Sequence, residues 1–401
     1  MNSLSSIAWR RFRRNVLAMT GGAVILFALI VAILGYLIMP DSTPMANEQI
    51  PELATKKPGF SILILKVRKN EQGCETGFFH KILYGEISNY YPVPVYKYHF
   101  EDSRIIEETY TGDEVNNGEI KSYSLADVIY PLAPGDTSVT ATGNELTFKD
   151  INGTIHTAPI SLLRNIVESN NLVHRTYWLG TDRFGRDMLS RMMAGTRVSL
   201  SVGFIAVVIS LLIGILLGSI AGFFRGIADD IIQWFITVVW SIPLLLLVIA
   251  ITLVMGKGFW QVFVAVGLAI WVEVARIVRG QILSIREKDY VEACRALGFS
   301  SARTIFRHIL PNIMGPVIVI SASNFASAIL IEAGLSFLGI GAQPPVPSWG
   351  GMIKDHYGYI ILDQPWLAII PGIAIMLIVL AFTLVGNGLR DALDVRLNLR
   401  E

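Results

Sequence analysis

The chain has 401 residues, 52% of them hydrophobic and 16% charged, with a mean hydropathy of +0.52. This composition is too apolar and too poor in charge for an ordinary soluble domain, and it indicates a membrane protein. The formal net charge of +1 argues against nucleic acid as a partner.

Long stretches without Asp, Glu, Lys or Arg predict where the chain crosses a bilayer, since about 20 apolar residues suffice to span the hydrocarbon core. Glu273 and Arg276 interrupt the fourth candidate in chain order. Pro243 should kink the third span, and Pro316 the fifth. We therefore predict an all-α polytopic membrane protein with about six transmembrane helices. The candidate spans are 15–40, 198–224, 231–256, 259–281, 309–331 and 364–389.

Residues 1–14 form a short basic arm ahead of the first span, which covers 15–40. Lys and Arg are concentrated in the cytoplasmic loops of membrane proteins. The loop from Glu273 to His308 carries seven basic residues, and further arginines follow the last span. We therefore expect both termini, including the tail 391–401, to be cytoplasmic, which makes the segment 41–176 periplasmic.

The segment 41–176 differs in character from the rest of the chain. Runs typical of β-strands cover 61–69, 90–100 and 144–160, and turn signals separate them. Asn152-Gly153 in the last run predicts a β-hairpin. We interpret the segment as a small, mostly β periplasmic domain inserted between the first two spans; a loosely ordered loop is the alternative.

The next segment, 177–197, precedes the second span. Met188, Leu189, Met192 and Met193 fall on one face at helical spacing. We predict an amphipathic helix that lies at the outer membrane interface.

The second span, 198–224, is rich in glycine. Gly214, Gly218 and Gly222 form two overlapping GxxxG pairs. Small residues at this spacing let transmembrane helices approach closely. We therefore predict that these glycines form a helix-packing face.

The helical core 198–390 contains a charged loop, 280–311. Its centre, from Tyr290 to Asn312, reads YVEACRALGFSSARTIFRHILPN. A charged helix–Gly–helix segment between two spans suggests that another protein docks there. The alternative is an amphipathic surface helix without a partner.

The local sequence of this loop predicts two short helices. The first should end at Gly298, which permits a turn. Ser300 or Ser301 can cap a second helix over 302–309. Pro311 is expected to close the second helix at the bilayer boundary.

Glu292, Ala293 and Gly298 keep the spacing E-A-x-x-x-x-G, and Leu310-Pro311 begins twelve residues after the glycine. The pattern resembles the EAA signature of binding-protein-dependent ABC importer permeases. The resemblance implies a coupling helix that inserts into a cleft of a separate ATPase.

The loop departs from the family pattern at two positions. Cys294 replaces the second alanine, and His308 stands where isoleucine is common. These two departures affect the detailed contacts of the loop and leave its assignment to the EAA pattern unchanged. The residues that the resemblance assigns to ATPase coupling are Glu292, Ala293, Gly298, Arg303, Leu310 and Pro311.

Three further stretches narrow the resemblance. LGTDRFGRDMLSR (179–191), GAQPPVPSWGGMI (341–353) and NGLRDALDVRL (387–397) are similar to the dipeptide/oligopeptide/nickel branch, and within it to the C-type subunit with a GTDxxGRD motif. The resemblance covers 1–40 and 175–400. The outer-face motif is expected to be either a packed corner or a substrate contact. Its residues are Gly180, Thr181, Asp182, Gly185, Arg186, Asp187 and Trp349.

The resemblance implies a non-catalytic permease subunit of an ATP-driven importer for di- or oligopeptides, in the bacterial inner membrane. It would form half of the translocation pore and adopt the type I importer permease fold. The implied partners are a second homologous permease, two ABC ATPase domains, a periplasmic or lipid-anchored binding protein, the peptide substrate and membrane lipid. Because no G-x-x-x-x-G-K-[ST] motif occurs, ATP and Mg²⁺ are expected on the partners, and neither a cofactor nor a metal site on this chain.

Other functions stay open at this point. The same scaffold could carry nickel or another small solute, and the segment 41–176 could bind a partner in the cell envelope. An ion-coupled carrier is disfavoured because such carriers keep charged residues deep in the membrane, whereas Glu273 and Glu332 are predicted to lie away from the span centres.

Overall fold

Contacts divide the chain into two compact units. One, here called the helical unit, holds the residues up to Ala32 together with Gly195 onward; the other, the inserted unit, is Ile33–Ala194. Cys74, Lys257 and the part of the predicted tail from residue 394 onward lie outside the described residues. The computed structural model describes residues 4–73, 76–112, 117–133, 139–256 and 258–393.

Two helices come first in the chain. α1 (Leu4–Arg14) is followed by Asn15, whose side-chain oxygen accepts a hydrogen bond from the backbone N–H of Ala18 at 3.1 Å. This bond caps α2 (Val16–Ile38), which is long and apolar enough to cross a membrane. The first predicted span is therefore confirmed as a helix.

The described residues between Phe60 and Tyr177 form eight strands and three short α-helices. In chain order the elements are β1 (Phe60–Arg68), α3 (Phe78–Tyr84), β2 (Tyr90–Glu101), β3 (Arg104–Thr109), β4 (Ile120–Ser124), α4 (Leu125–Ile129), β5 (Thr140–Thr142), β6 (Glu145–Lys149), β7 (Ile155–Pro159), α5 (Ile160–Ile166) and β8 (Leu172–Tyr177). Five strands form an antiparallel sheet in the order β4-β3-β2-β1-β8, and β5, β6 and β7 form a second one.

The inserted unit has a hydrophobic core of its own. Leu65 of β1, Leu125 of α4, Phe148 of β6 and Leu163 of α5 are each at most 1% exposed and belong to one cluster. Strands from both sheets and two short helices therefore share a single buried centre.

The β-hairpin predicted at Asn152-Gly153 is confirmed, since β6 and β7 pair antiparallel across it. The Asp150 carboxylate accepts hydrogen bonds from the backbone N–H groups of Asn152 and Thr154, each at 2.9 Å. Gly153 has a φ of +85°, which favours glycine. The runs predicted at 61–69 and 90–100 correspond to β1 and β2. β3, β4, β5 and β8 were not predicted, because each is short and carries charged or polar residues.

The separate amphipathic helix predicted over 177–197 is wrong. Tyr177 ends β8, and α6 runs without a break from Met188 to Phe224. Because no proline lies between these two residues, nothing in the sequence forces a boundary at Val198. The predicted methionine face is the first part of the span helix itself.

The third predicted span is broken rather than kinked. α7 (Ile227–Trp240) and α8 (Leu244–Met255) meet at an angle of 93°. Pro243 lies at the break, where it cannot donate a hydrogen bond to continue the helix. The described residues therefore contain five helices that could cross a membrane, or six if the bent pair is one span.

The fourth span candidate is α9 (Phe259–Ile285), and 67% of its most apolar stretch is buried, the highest value among these helices. It carries three charged residues, Glu273, Arg276 and Arg279, of which Glu273 and Arg276 are exposed. The Arg276 guanidinium carbon lies 3.9 Å from the centre of the Trp240 ring, and Arg279 donates to both carboxylate oxygens of Asp229 at 2.6 and 2.7 Å. Exposure of the first two residues and pairing of Arg279 explain how α9 carries charge.

The predicted packing face of the second span is confirmed, and it lies against α9. A Cβ on Gly214 would lie 2.5 Å from the Val274 Cβ, and a Cβ on Gly218 would lie 2.5 Å from the Ala275 carbonyl oxygen. Gly222 continues the row. The two helices approach so closely that a side chain at these positions would displace α9.

The prediction that Pro311 closes the second helix of the loop 280–311 is wrong. A π-helical turn, Ile305–Ile309, leads directly into the next helix, and Pro311 falls in that helix's first turn, where a missing N–H is tolerated. The remaining helices are α10 (Asp289–Ala296), α11 (Ser301–Thr304), α12 (Leu310–Phe337), α13 (Trp349–His356) and α14 (Trp366–Leu393).

Glu107 in β3 is a buried acid, with 1% of its surface exposed. One carboxylate oxygen accepts a hydrogen bond from the Thr109 hydroxyl at 3.1 Å, and Lys121 lies opposite on β4. Burial raises the pKa of Glu107 to about 7, although Thr109 and Lys121 lower it and the neighbouring Glu119 and Glu52 raise it.

We expect the sheet to lose stability as the pH rises. The folded chain binds a proton at Glu107 more tightly than the unfolded chain, so this stability is complete below pH 4.5 and is lost as the pH rises through about 7. The loss should amount to at most about 3 kcal/mol. Hydrogen exchange of the β3 peptide in the full chain, corrected for the intrinsic pH dependence of exchange, measures it. Glu107→Gln should abolish the difference between pH 5 and pH 8, and equal protection in the unmodified chain would contradict the prediction.

Candidate functional site

The loop element (residues 286–311) contains two short helices joined at Gly298, which has a φ of +74°. The Gly298 N–H donates to the Arg295 carbonyl at 2.9 Å, and the Phe299 N–H donates to the Cys294 carbonyl at 3.0 Å. This Schellman pair of bonds requires a left-handed residue directly after the helix. A Cβ on Gly298 would have no neighbour within 4 Å, so the backbone conformation, not space, requires glycine.

The second part of the loop element is fixed by a cap and two ring contacts. The Ser300 hydroxyl oxygen accepts a hydrogen bond from the Arg303 backbone N–H at 3.3 Å, so Ser300 is the cap. The Arg303 guanidinium carbon lies 4.1 Å from the Phe299 ring centre, and the same ring stacks on His308 at 5.6 Å. These contacts fix the segment after the Gly298 turn against the second helix.

One face of the loop element is buried against the membrane helices. Val291 and Cys294 of α10 are at most 6% exposed, and the Arg286 guanidinium donates to the Phe223 carbonyl at the end of α6 at 2.6 Å. The loop element is therefore packed on three helices, α6, α9 and α12. The buried cluster consists of Phe223, Val274, Val278, Ile282, Val291, Ile305, Ile309, Ile313 and Val317.

The opposite side of the loop element is open. Glu292 and Ala293 are exposed, and so are two large apolar side chains of the same loop, Leu297 at 71% and Phe306 at 61%. A surface that combines a carboxylate with exposed apolar groups suits docking to a protein rather than bond-making chemistry.

All six residues that the sequence assigned to coupling lie on the loop element or at its junction with α12. Glu292 and Ala293 are on α10, Gly298 is the turn, Arg303 rests on Phe299, and Leu310-Pro311 begins α12. The exposed Leu297 and Phe306 were not among the predicted coupling residues. Their signal was large apolar residues within an otherwise charged loop.

The residues 180–187 form a buried corner inside the inserted unit. Gly180 has a φ of +76°, and a Cβ there would lie 2.2 Å from the Lys56 carbonyl oxygen. Gly185 has a φ of +71°, and a Cβ there would lie 1.7 Å from the Ile50 carbonyl oxygen. Both glycines therefore let the chain pass directly against the segment that precedes β1.

Charged side chains fill this corner. One Asp182 carboxylate oxygen accepts from the Arg186 guanidinium at 2.6 Å, and the other accepts the backbone N–H groups of Phe184 and Arg186 at 2.9 and 3.0 Å. Arg191 lies 3.5 Å from the same carboxylate. Asp182 is fully buried and both arginines are 4% exposed, so each charge depends on its partners.

The other two polar residues of the motif connect the corner to its neighbours. The Thr181 hydroxyl accepts a hydrogen bond from the Lys56 backbone N–H at 2.8 Å and donates one to the Leu53 carbonyl. Asp187 accepts from the Ser190 backbone N–H at 2.8 Å, which caps α6. The structure therefore places this motif as an enclosed corner with little polar surface open to a solute.

Trp349 belongs to the helical unit, apart from the other residues of the predicted outer-face motif. It opens α13, which Ser348 caps by accepting the Gly351 N–H at 3.1 Å. The indole is 4% exposed, and a Cβ on Gly195 would lie 2.8 Å from it. It fills a gap between α6 and α13.

Glu332 of α12 is a buried carboxylate that the sequence analysis placed away from the span centres. It is 1% exposed and accepts a hydrogen bond from the Ser336 hydroxyl at 2.7 Å. The predicted span ends at residue 331, one position before this charge, whereas the helix continues to Phe337. A hydropathy pattern stops at the charge itself, so it could not show that the carboxylate lies within the helix.

Two family models match the chain. The model of the binding-protein-dependent transport system inner membrane component matches residues 214–399, and that of the N-terminal TM domain of oligopeptide transport permease C matches residues 3–58. The strands from Phe60 to Tyr177 lie outside both ranges.

Three curated relatives are similar to the chain at about the same level. The dipeptide transport system permease protein of Alkalihalophilus pseudofirmus is 42% identical over 221 residues, which cover 55% of this chain and 72% of the relative. The glutathione transport system permease protein of Pectobacterium atrosepticum is 42% identical over 221 residues, covering 55% and 73%. The oligopeptide transport system permease protein of Bacillus subtilis is 39% identical over 233 residues, covering 58% and 76%.

We expect Gly185→Ala to destabilise the inserted unit more than Gly153→Ala. Both glycines have positive φ, at a cost of about 1–2 kcal/mol for alanine. Only at Gly185 would the new methyl group also overlap a backbone oxygen, that of Ile50; at Gly153 the nearest atom is the end of the Lys149 side chain at 3.7 Å. Thermal unfolding of the purified full chain measures both losses, and equal losses would show that the close approach at the corner is absent.

Proposed function

This chain belongs to the binding-protein-dependent transport permease family, and we propose that it is a permease subunit of an ATP-driven importer for di- or oligopeptides. Identity of about 40% over more than 70% of relatives named for dipeptide, oligopeptide and glutathione transport supports this substrate class. The observation that carries the mechanism is the loop element, which is packed on three membrane helices by one face and open on the other.

A separate ATPase docks on the open face. Glu292 supplies charge to the contact, while Leu297 and Phe306 supply apolar area. The Schellman turn at Gly298 and the stack of Arg303, Phe299 and His308 keep the element rigid. Since the π-helical turn leads into α12 without a break, displacement of the docked helix moves a membrane span directly.

A second homologous permease completes the pore, and the core of this chain adopts the type I importer permease fold. Two ABC ATPase domains bind the loop elements of the pair and supply the energy, with ATP and Mg²⁺ on those partners. This chain then needs no cofactor of its own. A periplasmic or lipid-anchored binding protein delivers the substrate.

The chain is a multi-pass inner membrane protein. The basic arm and the basic residues of the loop element support a cytoplasmic location for both termini and this loop. The segment 41–176, which follows the first span, is then a mostly β periplasmic domain. Gly180, Thr181, Asp182, Gly185, Arg186 and Asp187 act there as a structural corner rather than as substrate ligands.

A second function of the inserted unit is favoured by its cleft of about 440 Å³. Its lining residues include Pro40, Thr43, Ile87, Asn89 and His174 of β8. With a hydrophobic core of its own, the unit is suited to bind a partner in the cell envelope in addition to its place in the importer.

Gly298→Val should uncouple ATP hydrolysis from transport, because a β-branched residue resists a φ of +74°. Gly298→Asn is the matched control, since asparagine adopts the left-handed conformation and the site has room for its side chain. Both variants should insert into the membrane normally. Substrate-stimulated ATPase activity and uptake in proteoliposomes measure coupling. Full ATPase activity and uptake in the valine variant would show that coupling does not require the Gly298 turn.

Affinity purification of the chain from its native membrane in mild detergent, followed by mass spectrometry, tests the importer itself. We expect a second permease and one or two ATPases to accompany it. Glu292→Ala should lose the ATPases and keep the second permease, because this exposed side chain serves only the docking face. Recovery of neither partner from a well-folded sample, or uptake that survives without any ATPase, would refute the proposal.

A further inference from the structure

α3 of the inserted unit is an amphipathic helix whose apolar side chains are exposed. At helical spacing, Phe78, Phe79, Ile82 and Leu83 fall within one face, and the polar edge opposite holds His80, Lys81 and Tyr84. Phe79 is 80% exposed and Phe78 64%. A contiguous exposed patch of large apolar residues, unlike a single exposed residue, marks an interaction surface.

The structure fixes this helix to the end of the first span. The last residues of α2, from Ile33 onward, belong to the same compact unit as α3. Gly85, which ends α3, is so close to α2 that a Cβ on it would lie 3.0 Å from the Tyr36 ring. The Glu86 N–H donates to the Ser42 carbonyl at 2.8 Å, four residues after α2 ends.

The end of α3 therefore lies beside the end of α2. Ile33, Leu37 and Ile38 at the end of α2 are exposed apolar residues, as expected for a lipid-facing helix. Tyr36 and Tyr84 are aromatic residues with a polar tip, the type enriched at the boundary between headgroups and acyl chains. α3 is thus close to the point where α2, as a membrane span, leaves the bilayer.

We propose that α3 inserts its apolar face into the membrane interface beside the first span and thereby anchors the inserted unit to the lipid surface. Phe78 and Phe79 enter the boundary between headgroups and acyl chains, and Lys81 remains at headgroup level. A helix of this kind penetrates about 5–10 Å. The inference requires only that α2 crosses the bilayer and does not depend on the transported solute or on the ATPase.

Site-specific fluorescence of the full chain in liposomes tests the anchor. In a background of Cys74→Ser and Cys294→Ala, an environment-sensitive dye is attached at Phe79→Cys, at His80→Cys on the polar edge of α3, or at Ile155→Cys. Ile155 is an equally suitable labelling site, 70% exposed and in β7 of the second sheet. Lipids with a spin label near the top of the acyl chain then act as quenchers.

We expect a blue-shifted emission at position 79 and loss of most of it to the shallow quencher, a smaller loss at position 80, and none at position 155. Equal emission and quenching at 79 and 155, in samples with unchanged helix content, would overturn the proposal. A photocrosslinker at position 79 in native membranes provides a second measurement. Adducts to lipid are expected, whereas an adduct to a protein would show that a partner chain covers α3 and would also overturn it.

Discussion

The close packing of α6 against α9 is the contact on which the functional site depends. Lipid is as apolar as the side chains it surrounds, so helices associate in a membrane chiefly where small residues permit close van der Waals contact. The glycines of α6 provide that contact along one face. It brings the end of α6, at Phe223, to the cluster that holds Val291 and Ile282. The loop element therefore has a fixed base, and its position is set by helix packing rather than by the loop sequence alone.

Rigidity within the loop element has a different origin. A left-handed glycine, a serine cap and an arginine stacked on a phenylalanine act in sequence along about a dozen residues. Each is a local interaction, and together they leave the two short helices little freedom to move separately. The π-helical turn then joins them to α12. An element that is stiff, anchored on one face and continuous with a span can convert a push on its open face into movement of the membrane helices.

The inserted unit is held together by a buried core and by a close contact between chain segments. Its two sheets share a buried core, and the glycine corner 180–187 ties the chain directly before α6 to the segment before β1. Removal of one partner of the buried pair Asp182 and Arg186 would leave an uncompensated charge in that corner, so each residue requires the other. The strands of both sheets lie outside the two matched family ranges.

The sequence by itself determined five of the six candidate membrane spans, the hairpin at Asn152-Gly153, the glycine packing face and the turn at Gly298. Each depends on a local property: a long uncharged run, a turn residue, or a helical period. Tertiary structure decided the helix boundaries and the burial of individual side chains, which such local patterns do not contain. It extended α6 back to Met188, carried the helix past Pro311, and buried the GTDxxGRD residues whose exposure the sequence left open. Burial and helix boundaries depend on which distant segments of the chain come into contact. A local sequence pattern does not contain that information.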